Sequence, residues 1–600
     1  MTKKFREIWC VDFIYSQSEG EQPKPVWMVG LELFSQKRVS LGDNELQEQA
    51  TPPYALDDQA LFVAFGATAD LGCHLSLGWD LPSAILDLHA EFRVLTNGLV
   101  DARGASLLAA SQTYRLQSID AGLKDHMRAL AVRGGESSDQ ELRLLKEYCT
   151  ADVEVLAALY QRMIPLIDLP RALLRGRYVR ALSHVEARGL PIDVEGLDRF
   201  RKAWPQLRLS LIRNLDAPTG IYRDGAFSAL AFEQWVTDKD ISWPRASSGR
   251  LMLDDDTFKA MSLRNPAVAR LRELRKTLAS MRSFKFSVGP DGRSRAPLKP
   301  WLARTGRNQP STSGFLFGLP SWMRGYLRPT PGRALSYIDW SQQEFGIAAA
   351  LTRDEKMLEA YASGDPYLAF AKQAGSVPEA ATQETHPAER ANFKACTLAV
   401  QYGMGVDALA ARICQSPAHA ALLLRQHRDT YGKFWAWSDR IYEYAICHKK
   451  LTASFGWTIQ IDDAVNERSV RNFPMQANGS EMMRIACFLA VEAGVQVCAP
   501  VHDAFVIEAA ANEIEGAEQE MRRCMDRASS FVLDGFCLRS DSRRITYPER
   551  FIESKGAVMW NQVESLLEDL DKESRQTCCI SAPGMGADAH PPFLIEGFIQ

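Results

Sequence analysis

The sequence predicts a small α/β unit over residues 1–165, followed by an α+β unit that takes up most of the remaining chain. Three observations predict this. Apolar runs with strand character at Ile8 to Tyr15, Val26 to Phe34 and Leu61 to Phe65 precede a helical period from Asp139 to Met163, the order of a small sheet closed by a helix. Leu169-Pro170 interrupts that pattern and marks a boundary. Beyond it, two isolated carboxylates sit beside apolar runs, Asp339 after Leu335-Ser336-Tyr337-Ile338 and Asp503 within Val501-His502-Asp503.

Residues 171–300 read as mainly helical and increasingly basic. From Arg264 to Arg333 there are fifteen Lys or Arg against two acids, Glu273 and Asp291, which suits a groove tracking a phosphate backbone even though the chain carries a net charge of -4. Residues 301–385 and 445–555 supply the strands of a second sheet, and 386–444 a helical insertion between them. From about Lys572 the composition turns to Gly, Pro and Ser without a period, so 572–600 is expected to be a disordered tail.

The insertion carries the chemistry. Residues four apart on an α-helix drift by only about 40° per step, so Arg390, Lys394, Leu398 and Tyr402 share one broad face. Arg390 and Lys394, placed toward the start of the helix, would add to its positive dipole end and suit a phosphate chain. Tyr402, just before the helix-breaking Gly403, could stack near a base pair at the other end. Two carboxylates at strand ends with a cationic helix between them are what a two-metal phosphoryl-transfer site requires.

Composition narrows the class. Hydrophobic residues make up 46% of 600, and no stretch of about 18 apolar residues occurs, so no membrane span is expected. The basic start, Met1 to Arg6, runs into Asp12 rather than an apolar core, which argues against a secretory signal. Twelve cysteines form no CxxC pair, the pattern of reduced thiols in a cytoplasmic protein.

Together, Asp339-Trp340-Ser341-Gln342-Gln343-Glu344, the Arg390/Lys394/Tyr402 helix and Val501-His502-Asp503 resemble motifs A, B and C of the family A DNA polymerases. There the motifs read approximately Asp-Tyr-Ser-Gln-Ile-Glu-Leu-Arg, Arg-x3-Lys-x3-Phe-x3-Tyr-Gly and Val-His-Asp-Glu. Ala303-Arg304-Thr305-Gly306-Arg307 is similar to a segment reaching the primer's minor groove. Glu467-Arg468 through Asn472-Phe473-Pro474-Met475-Gln476 is similar to one near the template–primer junction, and Val185 to Asp193 to the opening of the polymerase domain. The resemblance implies a right hand with its thumb and palm opening at 171–300, palm at 301–385 and 445–555, and fingers at 386–444.

By the same resemblance, Asp339 and Asp503 would hold two Mg2+ ions, with Mn2+ able to substitute, while Lys394 serves the leaving group. Arg390, Lys394, Leu398, Tyr402, Gln343 and Glu344 would line the incoming dNTP, and Glu344 would exclude a 2′-hydroxyl. Arg304, Arg307, Arg468, Asn472, Gln476 and His502 would hold primer–template DNA. Three departures stand out: Leu398 where an aromatic is common, Ala504 where a carboxylate follows the motif C Asp, and Trp340 and Phe345 in motif A.

Residues 1–165 resemble the 3′–5′ exonuclease domain of the same family, an RNase H-like fold. Asp12, Asp70, Tyr148 and Asp152 match its metal-binding acids and tyrosine, but Ile14 stands where a Glu is expected and Gly66 where an Asn often precedes Asp70. The domain is therefore expected to keep its fold while cutting 3′ ends very slowly or not at all. With no five-prime nuclease domain preceding it, the chain resembles the shorter phage and prophage members, acting in a bacterial cytoplasm on primed DNA in replication or repair. Replication accessory partners are left unspecified.

Overall fold

The computed structural model describes residues 4–99, 104–116, 130, 138–262, 265–282, 284–462 and 465–580. The chain opens with β1 (Glu7–Ser16), β2 (Lys24–Glu32), β3 (Arg38–Gly42), β4 (Ala60–Ala64) and β5 (Ala84–Asp87), joined in a sheet of order β3-β2-β1-β4-β5. β1 pairs antiparallel with β2 and parallel with β4. Helix α1 (Thr68–Ser76) covers one face, α2 (Leu88–Thr96) follows β5, and α3 (Asp139–Met163) covers the other face. β1 is therefore nearly continuously apolar instead of alternating, as a strand covered on both faces must be. The sequence pattern predicted three of these strands and missed β3, a polar edge strand, and β5, too short at four residues to show a period.

Leu169-Pro170 starts a helix that the two units share. In α4 (Leu169–Arg188), Asp168 accepts a capping hydrogen bond from Arg171 N, and Pro170 occupies the first turn, where its missing N–H costs nothing. α4 lies against β5 and α1 on one side and against a palm helix on the other. At Gly176 a Cβ would sit 2.0 Å from the Ile85 carbonyl oxygen, so glycine permits this approach. One apolar core consequently runs from Trp9 and Ile85 through Val179 and Leu182 to Trp340 and Phe505. The carbonyl end of α4 is held by Arg293, which donates to Arg188 O and Gly189 O, and by Arg295, which donates to Ala187 O.

α5 (Val194–Asp216) and α6 (Pro266–Arg282) form the arm that follows, and a separate apolar cluster of Ile221, Phe232, Trp235, Trp243 and Phe258 lies between them in sequence. The second sheet is antiparallel and contains β6 (Arg333–Trp340). Next come α7 (Gln343–Thr352) and α8 (Pro366–Gln373), followed by α9 (Pro387–Gln401), α10 (Val406–Ile413), α11 (Pro417–Thr430) and α12 (Gly432–His448), the last four of which build the helical insertion. A ribbon, β7 (Lys450–Thr452) and β8 (Thr458–Gln460), leads to α13 (Glu467–Glu492) and then to β9 (Gln496–Val501), β10 (Ala504–Ala510), α14 (Ile514–Val532), β11 (Ser540–Thr546) and α15 (Ser554–Ile580). The palm sheet runs β9-β10-β6-β11.

Two expectations change. The tail does not begin at Lys572: α15 continues to Ile580, because the charged segment from Asp569 to Gln576 lacks Gly and Pro and propagates the helix. The rest of the expected tail, 581–600, lies outside the described residues. The basic stretch is not uniformly a nucleic-acid surface either. Arg272, Arg293, Arg295, Arg307, Arg324, Arg328 and Arg333 are ion-paired to Asp255, Glu508, Asp291, Glu344, Glu553, Asp193 and Glu508 respectively. Among the described residues of that stretch, Arg270, Lys276, Arg282, Lys285, Lys299 and Arg304 are exposed without an ion pair.

Candidate active site

β6 carries Asp339 to the end of the palm sheet, where it stands in register between Ala504 on β10 and Asp541 on β11. β9 and β10 are joined by the two-residue turn His502-Asp503, in which His502 adopts φ 54°. The Trp340 N–H donates to the Asp503 carbonyl oxygen at 3.1 Å, which fixes that turn against the end of β6. The two carboxylates predicted from separate segments thus meet at one sheet end. Burial pushes the Asp339 carboxyl up to about 6, and the charges of Asp503 and Asp541 add to the shift. Burial also raises Asp503. Among the described residues neither acid is ion-paired to a cation. Such a donor set fits divalent metal ions, whose charge would relieve the repulsion.

Motif A turns sharply after Ser341. Gln342 takes φ 49°, and α7 begins at Gln343. Gln343, expected at the nucleotide, is 4% exposed, and its amide lies where a Cβ on Gly479 of α13 would be 2.9 Å from Oε1. This corrects its role to packing. In the resembled motif its position belongs to the apolar Ile, and the Gln of that motif aligns with Gln342, whose Oε1 accepts from Arg539.

Glu344 faces the site. Its Oε1 accepts from Arg307 Nη2 at 3.1 Å, and its charge, after burial, raises the Tyr402 phenol. Arg307, Glu344 and Tyr402 at the end of α9 are therefore linked to one another through Glu344. On α9, Arg390 and Lys394 share a face, but Lys394 lies in the middle of the fifteen-residue helix, so the dipole supports Arg390 more than Lys394. Arg390 is ion-paired to Asp365 at the N-cap of α8, and both cations lie over the Tyr367 ring, at 5.8 and 5.3 Å from its centroid. Leu398 is half-buried on the same face, and Tyr402 caps the helix with 45% exposure.

The DNA-facing candidates surround this centre. His502 is exposed and lines a cavity of about 230 Å³ with Arg307, Asn308, Tyr178, Ser480 and Arg484. Arg304 is exposed. Arg468, Asn472 and Gln476 recur every four residues at the start of α13. Arg468 lies across Gly403, where a Cβ would meet its Cγ at 2.7 Å. A second cavity, about 740 Å³, is bounded by Gly403, Arg425, Arg428, Trp435, Arg468 and Asn472.

In the first unit, Asp12, Asp70, Tyr148 and Asp152 also converge. Asp70 is buried, accepts from the Phe13 N–H at 3.1 Å, and is pushed well up by burial and then by the charge of Asp12. The Cys149 thiol donates to Asp12 Oδ2 at 3.5 Å. Burial, then the charge of Asp152, raises the Tyr148 phenol. Ile14, in place of the expected Glu, is 6% exposed inside the apolar cluster of this domain.

Three site residues escaped the sequence reading. Asp541 and Arg539 belong to the last strand region, which carries no recognisable spacing and is placed only by pairing across β6. Asp541 accepts from Ser341 Oγ, and the Arg539 N–H donates to Tyr361 OH, which donates in turn to Ser341 O. Asp365 had a local signal, an Asp before Pro366 at a helix start.

Comparison with known proteins agrees with this arrangement. Residues 320–535, which contain both carboxylates and the cationic helix, match the family described as DNA polymerase family A. Over that stretch the chain is similar to the family A DNA polymerases. DNA polymerase I of Aquifex aeolicus is 24% identical over 402 residues, covering 62% of this chain and 66% of that protein. DNA polymerase I of Mycobacterium leprae is 23% identical over 457 residues, covering 67% and 49%. The DNA polymerase of Mycobacterium phage L5 is 23% identical over 412 residues, 65% of each chain. The chain thus spans about two thirds or less of the length of these relatives. In fold, the chain matches the POL domain of Pol1 from M. smegmatis, solved in complex with DNA primer-template and dNTP, with a TM-score of 0.70 at 18% identity over 92% of this chain and 96% of that one.

Proposed function

We propose that this protein is a template-directed DNA polymerase that adds deoxynucleotides to a primer 3′-hydroxyl in the cytoplasm of a bacterial cell. The observation that carries the reading is the meeting of Asp339 and Asp503 at one sheet end, each unpaired by any described cation, with Tyr402 at the end of α9 near enough to feel the charge of Asp503. Asp339 and Asp503 would hold two Mg2+ ions, or Mn2+ in their place. Bound there, the ions would lower the pKa of the 3′-hydroxyl and neutralise the leaving pyrophosphate.

The protein's own groups do the rest. Lys394 meets phosphate in the ground state and more strongly as negative charge develops on the leaving group. Arg390 turns from Asp365 to the triphosphate. Glu344, steadied by Arg307, presents its carboxylate to the sugar and excludes a 2′-hydroxyl. Tyr402 abuts the nascent pair, and Arg304, Arg468, Asn472, Gln476 and His502 hold the primer–template.

The N-terminal domain is a degenerate exonuclease acting as scaffold. Ile14 offers no lone pair and is buried, and the remaining acids already carry a thiol and a backbone donor. The test of the main reading is primer extension with dNTPs and with rNTPs. Templated growth with dNTPs alone supports it, and no growth with either overturns it.

A further inference from the structure

We infer that Asn97, in the N-terminal domain, positions the primer-side loop of the polymerase. The inference rests on the DNA-contact reading of Arg304 and Arg307. Asn97 is fully buried, and its Nδ2 donates to Arg304 O at 2.7 Å and to Thr458 O at 2.8 Å. Two carbonyl acceptors on one amide nitrogen fix which way the side chain faces. The Asn97 carbonyl accepts from Gln460 N at 2.7 Å, which ties the same residue to the β7–β8 ribbon. The next residue must be glycine: Gly98 has φ 92°, and a Cβ there would lie 2.3 Å from Gln460 O.

Asn97 is one member of a set aimed at the loop carbonyls of Trp301, Leu302, Arg304 and Gly306. Arg93, one turn earlier on α2, donates to Trp301 O at 3.2 Å and Leu302 O at 3.3 Å. From the polymerase side, Trp457 Nε1 donates to Arg304 O at 2.9 Å, and Arg484 Nη1 to Gly306 O at 2.9 Å. The loop backbone is thus clamped between two domains, while the Arg304 side chain stays exposed and Arg307 reaches Glu344. Behind the clamp, α2 is anchored by the bidentate pair of Glu91 with Arg175 on α4, at 2.6 and 2.8 Å with both side chains under a tenth exposed. The segment Asp87 to Gly98 therefore has a mechanical use that does not involve nuclease chemistry. It gives the loop proposed to hold the primer a fixed backbone.

The test uses the full chain and four proteins: wild type, Asn97→Ala, Arg304→Ala and the double variant. Primer–template affinity is measured by anisotropy over a range of KCl, beside the dNTP KM, kcat and melting temperature. Asn97→Ala should weaken DNA binding roughly threefold or more and make the slope of log K against log salt shallower by about 1, the loss of one phosphate contact. The dNTP KM should stay within about twofold, because the nucleotide face of α9 is untouched. The double variant should bind no more weakly than Arg304→Ala alone, since Asn97 acts through that residue. A lowered melting temperature with unchanged affinity and salt slope would show Asn97 to be structural only and overturn the inference, as would fully additive losses. Should Asn97→Ala fail to fold, Asn97→Ser, which keeps one donor, is read by the same slope. Wild-type protein that binds no primed DNA would instead refute the polymerase reading itself.

Discussion

At the scale of single residues, the two acids at the sheet end were legible because each ends or begins an apolar run in a fixed order. Their neighbour Asp541 was not, because it becomes a neighbour only through pairing of β6 with β11. Gln343 shows the opposite failure. A polar residue inside a motif reads as functional from sequence, yet a left-handed Gln342 rotates the chain so that position 343 faces α13.

Arg390 leads to a prediction at this scale. Its ion pair with Asp365 competes with a triphosphate for the same guanidinium. Asp365→Asn keeps an oxygen to cap α8 while removing the charge, so the dNTP KM should fall by up to about fivefold, the worth of a partly exposed pair, with kcat little changed. Steady-state extension at varied dNTP measures this, and a raised KM would show that Asp365 orients Arg390 instead of restraining it.

At the scale of elements, α3 was read to its observed ends because a strong signal surrounds it: Ser138 and Glu141 form a capping box, and twenty-five residues keep one period. β5 had no such signal, and the shared role of α4 could not be seen in a Leu-Pro dipeptide. Within the insertion, His427 on α11 packs among Phe370, Tyr431, Phe434 and Trp435 and accepts from Trp435 Nε1 at 3.2 Å. Burial lowers its pKa to about 3, and burial lowers both His74 and His89 in the first domain to about 4. A histidine lowered in the folded state stabilises the fold fully above its unfolded pKa of about 6.5 and loses that contribution as pH falls toward the folded value. Each should remove about 1.4 kcal/mol per pH unit inside that window. Calorimetry from pH 7 to 4.5 should show a falling melting temperature, and His427→Phe should make the fall shallower. An equal slope in that variant would contradict the role of His427.

At the scale of the whole molecule, the two units are joined by α4 and by the α2 clamp, and one apolar core runs through both. On the proposed reading the first unit serves as structure rather than as a nuclease. A labelled primer with a mismatched 3′ end, incubated with Mg2+ or Mn2+ and no nucleotides, should be degraded very slowly or not at all. Rapid digestion by wild type that disappears in Asp12→Ala would show the nuclease to be active and another acid to replace the missing Glu. The order of motifs along the chain revealed the hand-like fold, whereas the docking of its parts depended on carbonyl partners such as those of Asn97, which leave no trace in composition or period.

Asp339 and Asp503 are proposed to form the nucleotidyl-transfer site together, and single-turnover primer extension with Mg2+ measures this, comparing wild type with Asp339→Ala and Asp503→Ala at matched DNA occupancy. Because the two carboxylates would hold the ions together and Asp541 beside Asp339 is already engaged by Ser341 Oγ, each variant should bind primed DNA as wild type does and extend it at least ~100-fold more slowly, the loss typical of removing one transition-state stabiliser. Extension by either variant at a rate near that of wild type would contradict the account.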